Sequence, residues 1–111
     1  MFAISCFYSL FLAKLKRIPI YPFAPCTGIL LDHQPFTLKE TEAADIDLQF
    51  SGHTHHGQTW PINWVTDYIF EQSHGYRQWG NTHIYVSSGL SLWGPPFRIG
   101  THGEMVIFNF Q

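Results

Sequence analysis

At 111 residues the chain has the length of one modest domain, and 45% hydrophobic with 17% aromatic residues is ample to bury a core, which argues against a disordered tail. A formal net charge of −2, with both signs interspersed, leaves no basic stripe and excludes the electrostatic footprint of a nucleic-acid binder. Two isolated cysteines, Cys6 and Cys26, exclude a disulfide framework or a CxxC zinc site and read as free buried thiols.

Met1 to Ala13 is apolar and is followed by Lys14, Lys16 and Arg17. A membrane span would need about 20 apolar residues. A signal peptide would carry its positive charge before the apolar run. Neither fits. Pro19, Pro22 and Pro25 then remove backbone donors between Ile18 and Thr27, so this piece is expected to be a linker or irregular arm.

From Gly28 the pattern becomes regular. Gly28-Ile29-Leu30-Leu31-Asp32-His33 predicts a buried strand whose C-terminal end faces a site. Thr37-Leu38-Lys39-Glu40 has capping-box spacing and predicts a short amphipathic helix to about Asp45. Asp47-Leu48-Gln49-Phe50 predicts a second strand, completing a βαβ-like unit in an α+β domain of α/β-like character. Asn63 to Gln72 predicts a helix with a broad apolar face from Trp64, Val65, Tyr68 and Ile69, ended by Gly75. Tyr76 to Trp79 and His83 to Ser87, joined by Gly80-Asn81-Thr82, read as a β-hairpin. A Gly/Pro-punctuated loop from Gly89 to Gly100 leads to a last predicted strand, Glu104 to Phe110. Trp60, Trp64, Trp79, Trp93 and Phe97 have two readings, as core residues or as the lining of an apolar or lipid-facing groove.

The chemistry concentrates in the histidines. There are seven, and His53, His55 and His56 fall within four positions, directly after the second predicted strand. Histidines two apart point to opposite sides of a strand but to neighbouring points around a tight loop, which the flanking Gly52 and Gly57 allow through positive φ. Imidazole suits zinc, iron, manganese or nickel. Taken alone, the pair reads first as polar surface-loop residues, because two histidines are weak evidence for a metal site.

The surroundings narrow this. Ile29-Leu30-Leu31-Asp32-His33-Gln34-Pro35, then Asp47-Leu48-Gln49-Phe50-Ser51-Gly52-His53-Thr54-His55-His56-Gly57-Gln58, resembles the fourth and fifth motifs of the calcineurin-like metallophosphoesterases. The likeness runs on through Tyr85-Val86-Ser87-Ser88-Gly89-Leu90 and Trp93-Gly94-Pro95-Pro96-Phe97-Arg98-Ile99-Gly100, similar to the C-terminal segment of the bacterial, often membrane-anchored branch. It covers residues 28–111 and leaves 1–27 as an unassigned N-terminal arm.

The resemblance implies a fold, the C-terminal half of a four-layer αββα sandwich, and an activity, metal-assisted phosphoester hydrolysis at a centre of two divalent ions (manganese, iron or zinc). His33 and His53 match ligands of one ion and His55 matches a ligand of the other. His56 stands where many relatives have glycine, so it takes no ligand role; with Arg98 it is a candidate contact for substrate phosphate. The upstream motifs D-x-H, GDxxD and GNH do not occur in this chain, and with them go the bridging aspartate, the asparagine ligand and the histidine thought to protonate the leaving group. No catalytic residue is therefore assigned. The expectation is an incomplete, inactive fragment, from a truncated or frame-disrupted reading frame, holding at most one ion. Its parent would associate with a membrane and the fragment would be cytoplasmic by default. The substrate is a phosphoester of open identity, and no protein partner is defined. Two other readings are a non-catalytic single-metal or interaction module built on the histidines, and a folded remnant without function.

Overall fold

The computed structural model describes residues 28–108 and, by backbone alone, 6–9. The proline-rich piece from Ile18 to Thr27 lies outside the described residues, as do Asn109 and Phe110. The chain forms a small mixed α/β domain. Its five-stranded sheet has the order β1-β2-β3-β5-β4, with β1 at Cys6–Ser9, β2 at Gly28–Asp32, β3 at Leu48–Ser51, β4 at Gly75–Trp79 and β5 at Thr82–Val86. Strands β1, β2, β3 and β5 pair in parallel and β4 runs antiparallel to β5. Two α-helices, α1 at Leu38–Ala43 and α2 at Ile62–Ile69, and a short 3-10 turn at His55–Gly57 complete the elements among the described residues. No helix among the described residues is long and apolar enough to cross a membrane.

The pleat sorts the side chains. Leu30, Gln49 and Ile84 are cross-strand partners, as are Asp32, Ser51 and Val86, so these six share one face. Leu38 of α1 packs there: Leu38, Ile84 and Val86 are completely buried and Trp79 lies against them. Parallel strands joined through a helix that covers one face are the expected outcome of the βαβ pattern. On the opposite face the Phe50 and Tyr85 rings stack at 6.1 Å, and Phe108 meets both edge-on at 5.4 and 5.9 Å. Leu31, on that face, is 47% exposed.

Four details depart from the sequence reading. The capping box does not form, because Thr37 sits at φ 57, ψ 37, and a left-handed residue cannot aim its hydroxyl at the third helical N–H. Its carbonyl instead accepts the amides of Glu40 and Thr41 at 3.0 and 3.2 Å. Helix α2 stops at Ile69 rather than near Gln72: Phe70 turns extended and stacks on Phe36 at 5.0 Å, and Gly75, at φ 81, opens β4 instead of ending the helix. Residues 104–108 form no strand, since no neighbouring strand among the described residues offers a ladder. Glu104 is held by its own groups instead, its amide donating to the Gly89 carbonyl and its carboxylate accepting from Ser88 N–H and the Tyr85 hydroxyl. Finally, Trp60, Trp64, Trp93 and Phe97 are more than half exposed, so of the five aromatics only Trp79 belongs to the core.

Leu38→Ala is expected to cost about 2–5 kcal/mol, because the space left against Ile84 and Val86 cannot close. Tyr68→Ala, at a 91% exposed site, should stay within about 0.5 kcal/mol. Urea midpoints by circular dichroism compare the two, and equal effects would contradict this core.

Candidate metal centre

Three loops leave the C-terminal ends of the neighbouring parallel strands β2, β3 and β5, the end of an α/β sheet where ligands bind. His33 follows β2, residues 52–58 follow β3, and the long segment from Ser87 follows β5. The first two loops are tied by a hydrogen bond from Gly52 N to the His33 carbonyl, 3.3 Å.

The loop after β3 is almost wholly left-handed. His53 (φ 67), His55 (φ 47), His56 (φ 49), Gly57 (φ 68) and Gln58 (φ 53) all have positive φ, and only Thr54 is right-handed. The sequence placed this freedom on the flanking glycines. Gly57 uses it; at Gly52 the positive φ falls instead on the following His53. Gly57 is also required by space, since a Cβ there would stand 2.3 Å from the Asn63 backbone nitrogen at the start of α2.

Tertiary hydrogen bonds hold this conformation. Thr54 Oγ1 donates to the Ser73 carbonyl at 2.7 Å and accepts the His56 amide at 3.3 Å. Gln58 is buried. Its Nε2 donates to the carbonyls of Pro95 and Phe97, its Oε1 accepts from Trp93 N, and its own carbonyl accepts from Ile99 N and Thr101 Oγ1. Arg98 reaches across to the His55 carbonyl.

The histidines fall into separate groups. His33 Nε2 and His53 Nδ1 lie 2.9 Å apart, the rings edge-on with centroids at 4.7 Å. Gln34 Nε2 sits 3.3 Å from His53 Nε2. An amide nitrogen can only donate, so His53 Nε2 accepts, and His53 Nδ1–H donates to His33. Burial holds the His53 pKa below the ordinary imidazole value, with repulsion from His33 and His55 adding to it. His55 does not join this pair by hydrogen bond, and its Nδ1 is buried with no hydrogen-bond partner. Among the described residues no three His, Cys, Asp or Glu side chains are close enough to hold an ion together.

His56 turns elsewhere. Its ring stacks flat on His74 at 4.3 Å, and His74 Nε2 lies 3.3 Å from Glu104 Oε1. Burial and then His74 lower the His56 pKa, against the opposing pull of Asp67 and Glu104. Burial would raise the Glu104 carboxyl, but the hydrogen bonds from Ser88 and Tyr85 together with His74 hold it below the usual range. Gln34, Gln58, His74 and Glu104 had no assigned role in the sequence reading. Gln34 and Gln58 stand inside the two quoted motifs, and that adjacency was their only signal.

Several curated proteins resemble the chain. An uncharacterized metallophosphoesterase of Campylobacter jejuni is 38% identical over 103 residues, 92% of this chain and 28% of that protein. That alignment is longer than the stretch from Gly28 to Gln111, so it takes in part of residues 1–27. An uncharacterized metallophosphoesterase of Helicobacter pylori is 46% identical over 79 residues, 69% of this chain and 21% of that protein. A transmembrane protein with metallophosphoesterase domain from Bos taurus is 41% identical over 87 residues, 75% of this chain and 19% of that protein. The chain thus spans between about a fifth and just over a quarter of the length of these curated relatives. No family model and no solved structure matches it.

The lowered pKa values of His53 and His56 set the sign of a pH effect. Below the ordinary value of 6.5 the unfolded chain binds protons that the folded chain resists, so stability falls as pH drops through the folded values. Glu104, depressed from 4.5, adds a loss of the same sign at lower pH. The urea midpoint should therefore be lower at pH 5.5 than at pH 7.5, and His53→Ala and His56→Ala should each flatten the slope. A midpoint that rises on acidification would show that the sign is wrong.

Proposed function

The chain belongs to the calcineurin-like metallophosphoesterases, and from that premise we propose that it forms the C-terminal, histidine-bearing part of a metal-dependent phosphoester hydrolase. The observation that carries the reading is the meeting of His33 and His53. They leave adjacent parallel strands and set two imidazole nitrogens face to face at 2.9 Å, with His55 beside them in the same left-handed turn.

The donor set fits a divalent ion. His33 Nε2 and His53 Nδ1 are the nitrogens that would take one, and their hydrogen bond already brings them together. The buried, unpartnered Nδ1 of His55 marks that side chain as available for a second. When bound, divalent ions supply Lewis acidity and an activated water for in-line attack at phosphorus. The chain's own part is to hold these imidazoles in place at the strand ends. The depressed pKa of His53 keeps that ring available as a ligand at neutral pH. Gln34 meets the far nitrogen of His53 from the neighbouring loop; metal binding at Nδ1 would displace the proton shared with His33 and turn the Gln34 amide so that its oxygen accepts from Nε2–H. His56, stacked on His74 at the edge of the same loop, is proposed as the contact for substrate phosphate.

The rest of the catalytic constellation is proposed to come from sequence outside this chain. The bridging carboxylate and the leaving-group acid have no counterpart here, so the chain alone is read as inactive and as holding at most one ion. The half-exposed Leu31 beside Phe50 and Tyr85 supports a second sheet against that face, as in a four-layer αββα sandwich. We propose residues 28–111 as part of the metallophosphoesterase domain, with Cys6–Ser9 of the N-terminal stretch adding an edge strand to its sheet. Relatives named as transmembrane proteins support membrane association of the parent. The non-catalytic single-ion module stands as the second reading, favoured by the two-histidine geometry.

Two measurements test this. The isolated chain should not turn over an activated aryl phosphate with added manganese or zinc. It should bind about one zinc weakly at pH 7.5 and lose it at pH 5.5, as protons compete for imidazole. In calorimetric titration His53→Ala should abolish this binding and His56→Ala should retain it. Equal losses from both substitutions would reduce the cluster to a nonspecific histidine patch.

A further inference from the structure

Arg98 lies near the end of the loop that follows β5, and its guanidinium faces the chain. Nη1 donates to the His55 carbonyl at 3.2 Å. Nη2 donates to the carbonyls of Ser88 at 2.8 Å, Gly89 at 3.1 Å and Ser91 at 2.8 Å. A guanidinium has five N–H donors in a fixed fork and accepts nothing. The four carbonyls draw on three of those five N–H groups, the two on Nη2 being shared among three oxygens, so an anion meeting that edge of the guanidinium would have to displace them.

Three acceptors belong to the loop after β5. The fourth is the backbone of His55, the left-handed histidine whose Nδ1 is buried without a hydrogen-bond partner. His55 and His56 are consecutive non-glycine residues at positive φ, a conformation costing about 1–2 kcal/mol per residue in isolation. Contacts within the turn and from outside it hold it there. Within the turn the His55 carbonyl also accepts Gln58 N, at 2.9 Å. Arg98 adds a charged donor from a different loop.

We propose that Arg98 is a positioning residue that locks the left-handed backbone of His55 and thereby aims its imidazole, in place of the substrate-phosphate contact suggested by the sequence. The proposal rests on the reading of His55 as a metal ligand. Lysine could not substitute, because one ammonium on a flexible stem cannot span four carbonyls on two loops.

The test uses the full chain with ¹⁵N-labelled histidine and arginine. In the metal-free protein Arg98→Ala should shift the His55 ring resonances and leave those of His33 and His53, which hold each other, in place. Millimolar guanidinium, far below denaturing concentrations, should restore the His55 signals, whereas Arg98→Lys should not. On adding zinc, the variant should lose the metal-induced shift at His55. In the wild type, inorganic phosphate should leave the Arg98 Nε–H resonance unmoved. Unchanged His55 rings in Arg98→Ala would overturn the proposal. So would a saturable phosphate shift at Arg98 Nε–H, which needs no variant and stands even if Arg98→Ala does not fold. A wild type in which zinc shifts no histidine would contradict the metal reading instead, while the metal-free and phosphate comparisons still decide the role of Arg98.

Discussion

Everything at the candidate centre depends on one backbone reversal after β3, the positive-φ residues that start at His53 and are broken only at Thr54. A right-handed turn from the same strand end would carry His53, His55 and His56 along different vectors. Each non-glycine residue in this region costs about 1–3 kcal/mol relative to ordinary backbone. His53, His55, His56 and Gln58 all accept that cost. The compensating bonds come from other segments: Thr54 on Ser73, Gln58 on the 93–97 loop and Arg98 on the His55 carbonyl. Strain held by tertiary contacts at a chemically competent loop is the usual mark of a functional site. Gly57 makes the arrangement possible by letting α2 start in contact with the turn.

The sheet supplies the frame. Because β2, β3 and β5 are parallel neighbours, their outgoing loops gather at one edge, and residues twenty positions apart in sequence can exchange a hydrogen bond. The helix-covered face is closed by Leu38, Ile84 and Val86. The other face and the α2 surface keep large apolar side chains in contact with solvent, among them Leu31, Trp64, Val65 and Ile69. A chain that spans about a quarter of its relatives' length is expected to show such surfaces where the remainder of the fold would pack.

What could be read from the sequence follows from the range of the interactions involved. β2, α1, β3 and the β4–β5 hairpin were legible because each rests on local pattern: apolar runs, a short amphipathic repeat and a Gly-Asn turn. The errors lie where distant residues decide. The capping box at Thr37 satisfied a local rule, yet the turn through Pro35 and Phe36 delivered the residue left-handed. Phe70 left the helix for Phe36, thirty-four positions earlier, and no periodicity encodes that preference. Glu104 to Phe108 alternates like a strand but has no neighbour to pair with among the described residues. At the centre, His33 and His53 were legible from motif resemblance, and their mutual hydrogen bond was not. Arg98 was read as a candidate phosphate contact, and its hydrogen bonds to the carbonyls of His55, Ser88, Gly89 and Ser91 were not legible, because they join two loops far apart in sequence.

If the imidazoles paired at the strand ends form half of a metal centre, X-ray absorption at the zinc edge of the zinc-loaded chain will read their ligation. Nitrogen and oxygen ligands at about 2.0–2.1 Å are expected, with imidazole multiple-scattering features that disappear in His33→Ala and in His53→Ala. A spectrum without imidazole features, or one unaltered by either substitution, would contradict that ligation.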